Sequence, residues 1–229
     1  MSGQTYLLAE EELPVLAAVG GLNGLLSLQT VRPSGRADPA ETVYGLFRRG
    51  ALVQKGTGLG LSEELEPVFA CMRRAGSVLL LTPRELSAPQ LCLYPAGDEA
   101  AYVTPHETKR DSLRLGLTAA EDLPGLLEEL GLLPVSHMAE PVAAPLREEE
   151  IPPLELPLGR DGRLGDREAL DERVLTVLER FDLPSGTVRE RAAVFRAPLS
   201  WAAAHFTEGT EYRPYERGDL LRWIKEGSL

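Results

Sequence analysis

Residues 90–104 read QLCLYPAGDEAAYVT, and this stretch decides the class of fold. Two short apolar segments, 90–94 and 100–104, flank a connection that contains a proline, a glycine and two acids. A polar connection of this kind between two apolar segments is typical of a β-hairpin. The sequence therefore predicts two antiparallel strands at its centre.

The residues on either side of the hairpin predict more strands and a helix. Residues 77–82 form a continuous apolar run closed by a proline, which indicates a buried strand, and residues 111–116 indicate another. Thr118 and Glu121 then make a capping-box pattern that predicts a helix to about Leu130.

Two helices are predicted before the first of these strands. Asp38 is placed as an N-cap and is followed by proline, so a helix should run over residues 39–49. A short strand at 51–53 and a glycine-rich turn at 55–60 follow it. Ser62 then opens a second helix, whose apolar residues recur at intervals of three and four.

The last part of the chain has a different composition. Residues 134–165 contain six prolines and three consecutive glutamates, which predicts a linker that packs along the body in extended form. Apolar residues at helical spacing predict a helix over 166–181. The segments that then predict strands are 187–195, 201–206 and 211–215, and 220–224 is open between a strand and a short helix.

These elements predict an α+β fold in which antiparallel sheets are flanked by helices. We divide the chain into an N-terminal α+β unit at 1–133, the Pro/Glu-rich linker at 134–165, and a C-terminal helix with antiparallel strands at 166–229. Two segments, 62–117 and 166–224, share the order of helix followed by sheet. Two structurally related halves are therefore an open alternative.

Composition excludes several classes of function. The formal net charge of −11 over 229 residues argues against binding to nucleic acid, which requires clustered lysine and arginine. The chain has no apolar run of the roughly 20 residues that span a bilayer, and its first residues lack the features of a signal peptide. We therefore expect a cytoplasmic protein that does not insert into membranes.

Motifs for catalysis, cofactors or metals are not found in the sequence. The glycine-rich turn lacks the Lys-Ser or Lys-Thr of a phosphate-binding loop, and no histidine has a metal-ligand partner at the spacing of a local motif. Cys71 and Cys92 lie among apolar residues, which is typical of buried thiols. No catalytic, cofactor or metal residue is assigned, and a non-enzymatic protein is favoured.

Aromatic residues concentrate near the C-terminus, where they either build the core, which is the favoured interpretation, or form a partner-binding surface. Tryptophan and tyrosine dominate interface hot spots, and we assign Trp223, Tyr212 and Tyr215 to this role. Trp223 has charged neighbours, so we expect it to be exposed, and Trp201 to be the more buried tryptophan. Pro214 indicates that its strand lies at the edge of a sheet.

A distant resemblance accompanies these patterns. The spacing of residues 46–52, the glycine-rich turn and residues 61–68 resembles the N-terminal half of the cytosolic chaperones of type VII (ESX) secretion, and the resemblance covers residues 40–133. It implies a non-enzymatic protein that holds a helical secretion substrate through a sheet and neighbouring loops.

Binding of another protein, as a chaperone or adaptor for a secretion substrate, is therefore the leading hypothesis. The alternative is an enzyme or small-ligand-binding protein whose site is assembled from distant residues. The alternative would require a deep pocket lined by several of His106, His205, Cys71 and Cys92.

Overall fold

The computed structural model describes residues 5–22, 38–109, 111–135, 151–160, 162–183, 185–197, 200–206 and 209–226. Half of the predicted linker, residues 136–150 and 161, lies outside the described residues. The divisions at 133 and 165 stay predictions.

Eleven strands and five α-helices follow one another in the described residues. The helices are α1 (Glu12–Val19), α2 (Pro39–Arg48), α3 (Glu66–Arg74), α4 (Leu123–Glu129) and α5 (Arg217–Glu226). The strands are β1 (Thr5–Ala9), β2 (Leu52–Lys55), β3 (Gly58–Leu61), β4 (Ser77–Pro83), β5 (Leu91–Ala96), β6 (Glu99–Pro105), β7 (Ser112–Ala119), β8 (Val174–Asp182), β9 (Val188–Arg196), β10 (Trp201–Phe206) and β11 (Thr210–Pro214). Short 3₁₀ turns occupy Ala120–Asp122 and Arg167–Ala169.

The predicted fold class is confirmed. Nine strands form an antiparallel sheet, β2 and β3 form a separate hairpin, and helices flank the sheets. The central hairpin also matches the prediction, because Cys92 pairs with Val103 and Tyr94 pairs with Ala101. None of the described helices has the length and apolar character needed to cross a membrane.

The chain divides into two compact units that interleave along the sequence. The first contains Met1–Val78, Leu91–Ala120 and Asp182–Gly186. Its strands lie in the order β1-β7-β6-β5, and α3 contacts β5, β6 and β7. The core forms there because α3 buries Phe69 and Met72, which lie three residues apart on one helical face.

The second unit contains Leu79–Gln90, Glu121–Phe181 and Thr187–Leu229. Its last four strands lie in the order β8-β9-β10-β11, which places β11 at the edge, as Pro214 predicted. Residues Ile151 and Leu154, from the predicted linker, are buried in a core cluster with Phe195 and Val177. Side chains from outside regular strands thus complete this core.

The helix predicted over 166–181 is wrong. Residues Val174–Asp182 form β8, and only the turn at Arg167–Ala169 is helical. The reason is that β8 is buried on both faces, so Val177 and Leu178 are both inaccessible although they are adjacent. A strand of this kind has no alternation, and its apolar residues can match a helical spacing by coincidence.

The capping box at Thr118 is also wrong. Thr118 is a residue of β7, and α4 begins at Leu123 without a side-chain cap. Residues 220–224, which the sequence left open, belong to the helix α5.

Candidate protein-binding site

Helix α2 forms because its ends are well specified. The Oδ1 atom of Asp38 accepts a hydrogen bond from the backbone N–H of Ala40 at 2.9 Å, and Pro39 occupies the first helical position. Glu41 lies in the first turn and Arg48 in the last, and each charge interacts favourably with the helix dipole at its end of the helix. Helix α2 is confirmed over nearly the predicted range.

An apolar stripe on α2 remains accessible to solvent. Ala40, Val43, Tyr44 and Phe47 recur at the i, i+3, i+4 and i+7 positions, so they share one side of the helix. The exposed fraction is 65% for Tyr44 and 47% for Phe47. These are large values for aromatic side chains, whose burial is strongly favourable.

The stripe forms one wall of a groove. The β2–β3 hairpin contributes Leu59, which is 44% exposed, to the other side. The cavity has a volume of about 450 Å³. The described residues that line it carry no charged side chain; they are Pro39, Ala40, Val43, Tyr44, Phe47 and Leu59. We call this cavity the α2 groove.

The hairpin is held by a tight turn that the glycines permit. Lys55 pairs with Gly58, so the loop has two residues, and Gly56 at its first position has a φ of 62°. A positive φ at this position is favourable for glycine and is required by the primed turns of short hairpins. Much of the predicted glycine-rich turn is therefore strand β3.

Helix α2 is also fixed to the body on its other side. Leu46 is fully buried, and Arg49, just after the helix, forms a salt bridge with Glu12 of α1. The hydrogen bond with Glu12 raises the pKa of Arg49, which favours the charged guanidinium. Glu12 also accepts a hydrogen bond from the backbone N–H of Ala9 at 2.8 Å. The apolar stripe is thus presented on an anchored helix.

Trp223, the first of the predicted partner-binding residues, does not have the expected exposure. Its side chain is 1% exposed, whereas Trp201 is only partly buried, so the predicted order of burial is wrong. The guanidinium of Arg180 lies 5.0 Å from the centre of the Trp223 ring, and Arg180 donates a hydrogen bond to the Trp223 carbonyl. Burial lowers the pKa of Arg180.

The other two predicted residues are partly buried. The Tyr212 ring packs edge-on against Phe195 at 5.8 Å, and its hydroxyl accepts a hydrogen bond from the backbone N–H of Leu154 at 2.9 Å. The backbone N–H of Tyr215 donates to the Trp201 carbonyl at 3.0 Å.

Tyr212 and Trp223 do not form one surface. On β9, Phe195 contacts Tyr212, and Glu190 pairs with Arg180, the residue that covers Trp223. Phe195 and Glu190 are five residues apart, and an odd separation along a strand places side chains on opposite faces. Tyr212 and Trp223 therefore lie in different environments.

The residues of the alternative hypothesis do not line the α2 groove. Cys71 and Cys92 are buried thiols, and burial raises the pKa of Cys92 to about 12. The Nδ1 atom of His106 accepts hydrogen bonds from the backbone N–H groups of Thr108 and Lys109, each at 3.2 Å. Among the described residues, no group of three or more His, Cys, Asp or Glu side chains could hold a metal ion.

Sequence reasoning missed the α2 groove, although a signal for it was present. Val43, Tyr44, Leu46 and Phe47 cover an arc of about 160° around α2, because successive residues turn by about 100°. A helix that lies against a core on one side buries only part of so wide an arc. The apolar residues that the core does not cover indicate a second apolar surface on the helix.

No protein-family model matches this chain, and no curated protein matches it either.

Proposed function

We propose that this chain binds a helix of another polypeptide through the α2 groove. The observation that supports this function is the exposure of Tyr44, Phe47 and Leu59 around one apolar cavity. Full burial of a large apolar side chain is worth about 1.5–3 kcal/mol. Contiguous exposed patches of this kind mark sites where proteins interact.

A partner helix matches the length of the groove. The stripe from Ala40 to Phe47 covers two helical turns, a length of about 10.5 Å at about 1.5 Å per residue. A partner helix with apolar residues at i, i+3 or i+4, and i+7 presents side chains over the same length.

The finer form of the proposal is a cytoplasmic, non-enzymatic chaperone or adaptor for a helical secretion substrate. The resemblance of residues 40–133 to type VII secretion chaperones supports this form. Helix α2 and the β2–β3 hairpin, which line the groove, belong to that stretch. An apolar surface that covers the apolar residues of a substrate before export would be enough for a chaperone of this kind to act.

Substitution of an apolar residue in the groove tests the proposal. We would capture proteins from the native cytosol with the full chain, with Phe47→Ser and with Leu86→Ser, and quantify each by mass spectrometry. Leu86 is 53% exposed but does not line the groove, so it is a matched control. We expect Phe47→Ser to weaken binding of the purified partner by more than about tenfold, because a buried aromatic anchor is worth at least about 1.4 kcal/mol. Equal binding by both variants would contradict the proposal.

A further inference from the structure

We propose that a second copy of this chain fills the α2 groove, with the two α2 helices antiparallel around a two-fold axis. This inference rests on the proposed function of the groove as a helix-binding site, and it names one occupant. The order of charges and the order of side-chain sizes along α2 both fit a second copy as the occupant.

Two unpaired opposite charges lie beside the stripe. Glu41 and Arg48 are both exposed, and neither forms an ion pair within the described part of the chain. They are seven residues apart, which is about two helical turns, so both lie on the same flank of the stripe. The guanidinium of Arg48 is 6.0 Å from the centre of the Tyr44 ring, at the border of the stripe.

A two-fold antiparallel arrangement matches these charges reciprocally. In such a pair, the same flank of each helix faces the other, and the N-terminal turn of one helix lies beside the C-terminal turn of the other. Glu41 of each copy then lies opposite Arg48 of the second copy. Two ion pairs form at once. In a parallel two-fold pair the same flanks of the two helices lie on opposite sides of the interface, so these charges do not meet.

The sizes of the apolar side chains match in the same register. Ala40 begins the stripe and Phe47 ends it, so antiparallel packing places the large ring of one copy over the small side chain of the other. The midpoint of Ala40 and Phe47 is only one residue from the midpoint of Glu41 and Arg48. Alternation of large and small side chains across two helices gives close packing. One register therefore satisfies both patterns, with Tyr44 near the axis.

The expected dimer is weak. A standard interface buries about 800 Å² on each partner, and a pair of ten-residue helices buries less. A net charge of −11 on each chain adds long-range repulsion. We expect the dimer population to rise across concentrations of about 10–500 µM, which sedimentation equilibrium measures directly.

Charge exchange gives a specific test of this geometry. In Glu41→Arg and in Arg48→Glu, both ion pairs become like-charge contacts, and we expect each variant alone to dimerise about 10- to 30-fold more weakly. An equimolar mixture of the two restores both attractive contacts in the heterodimer. The mixture should therefore dimerise like the original chain, and so should the double variant. Circular dichroism of each variant checks that α2 still folds.

Three results would overturn the inference. They are a chain that is monomeric over the whole concentration range, a mixture no more dimeric than its components, and a dimer that is unchanged by Tyr44→Ser. A monomer whose binding to another protein is still lost with Phe47→Ser would reject the second copy and leave the proposed function intact. Loss of thermal stability in a monomeric Tyr44→Ser variant would also reject it, because the stripe would then be covered within the chain.

Discussion

Replacement of Trp223 by alanine should destabilise the second unit strongly. Trp223 is 1% exposed, and tryptophan buries about 200 Å², which corresponds to about 5 kcal/mol as an upper value at about 25 cal/mol per Å². The cation–π contact with Arg180 adds about 0.5–2 kcal/mol. Measured tryptophan-to-alanine changes in cores cost about 3–5 kcal/mol, and we expect a loss in this range.

The backbone hydrogen bond at this position survives the substitution. Arg180 donates to the carbonyl of residue 223, which alanine retains, so the loss reports the side chain alone. Trp223→Phe keeps an aromatic face below the guanidinium and should cost less than half as much. Trp201→Ala is the matched control, because Trp201 is only partly buried.

Urea unfolding followed by far-ultraviolet circular dichroism measures the change. At this chain length, about 3–5 kcal/mol corresponds to a fall in melting temperature of about 6–20 °C. Partner binding measured below the melting temperature should be unchanged, because Trp223 does not line the α2 groove. A loss of less than about 1 kcal/mol, together with weakened binding, would refute the assignment of Trp223 to the core.

Three further predictions concern buried and ionised groups. The pKa of Cys92 is raised to about 12 from 9.0, so its neutral thiol favours folding; the free energy of unfolding should fall as the pH rises from 9 towards 12, by about 1 kcal/mol between pH 9 and pH 10, and Cys92→Ala should abolish this part of the slope. The hydrogen bond from Arg173 lowers the pKa of Asp171, so the stability from this pair should be present above about pH 4 and lost below it, and Arg173→Ala should remove that acid dependence. Arg191→Ala leaves the carboxylate of Glu179 buried without its 2.9 Å partner and should cost about 3–5 kcal/mol, whereas replacement of both residues by methionine should cost less.

Each of these predictions has an outcome that contradicts it. For Cys92, this is an alanine variant whose stability still falls with the slope of the original chain between pH 9 and 10. For Arg173, it is an alanine variant with unchanged acid unfolding. For the buried pair, a double methionine variant that is less stable than Arg191→Ala would show that the ion pair itself, and not the isolated carboxylate, dominates the cost.

The elements that could be predicted from sequence are those whose signals are local. The cap at Asp38 acts within one turn of chain, and the strands at 77–82 and 100–104 have apolar runs of strand length. These local preferences agree with the tertiary structure, as is usual in natural proteins. The edge position of β11 was predictable for a similar reason, because Pro214 lacks the N–H that a central strand needs.

The errors arose where burial depends on distant residues. Trp223 lies beside the exposed Arg222, which suggested a surface position, but α5 turns successive residues by about 100° and so separates the two environments. The core site of Trp223 depends on Arg180, 43 residues earlier in the chain. No window of sequence around Trp223 contains that partner.

A groove shared by self-association and partner binding would couple the two equilibria. In the proposed arrangement, a partner helix occupies the groove only after a second copy leaves it, so the apparent affinity for the partner falls as the concentration of this chain rises above its dimer dissociation constant. A partner with a cation opposite Glu41 and an anion opposite Arg48 reproduces the charge order of α2 and competes directly. Because the chain has a net charge of −11, a basic partner also experiences long-range attraction where a second copy experiences repulsion. Added salt should therefore weaken binding of a basic partner more than it weakens the dimer. Titrations at two salt concentrations measure both affinities. If added salt weakens the dimer more than it weakens binding of the basic partner, the proposed electrostatics of the groove are wrong.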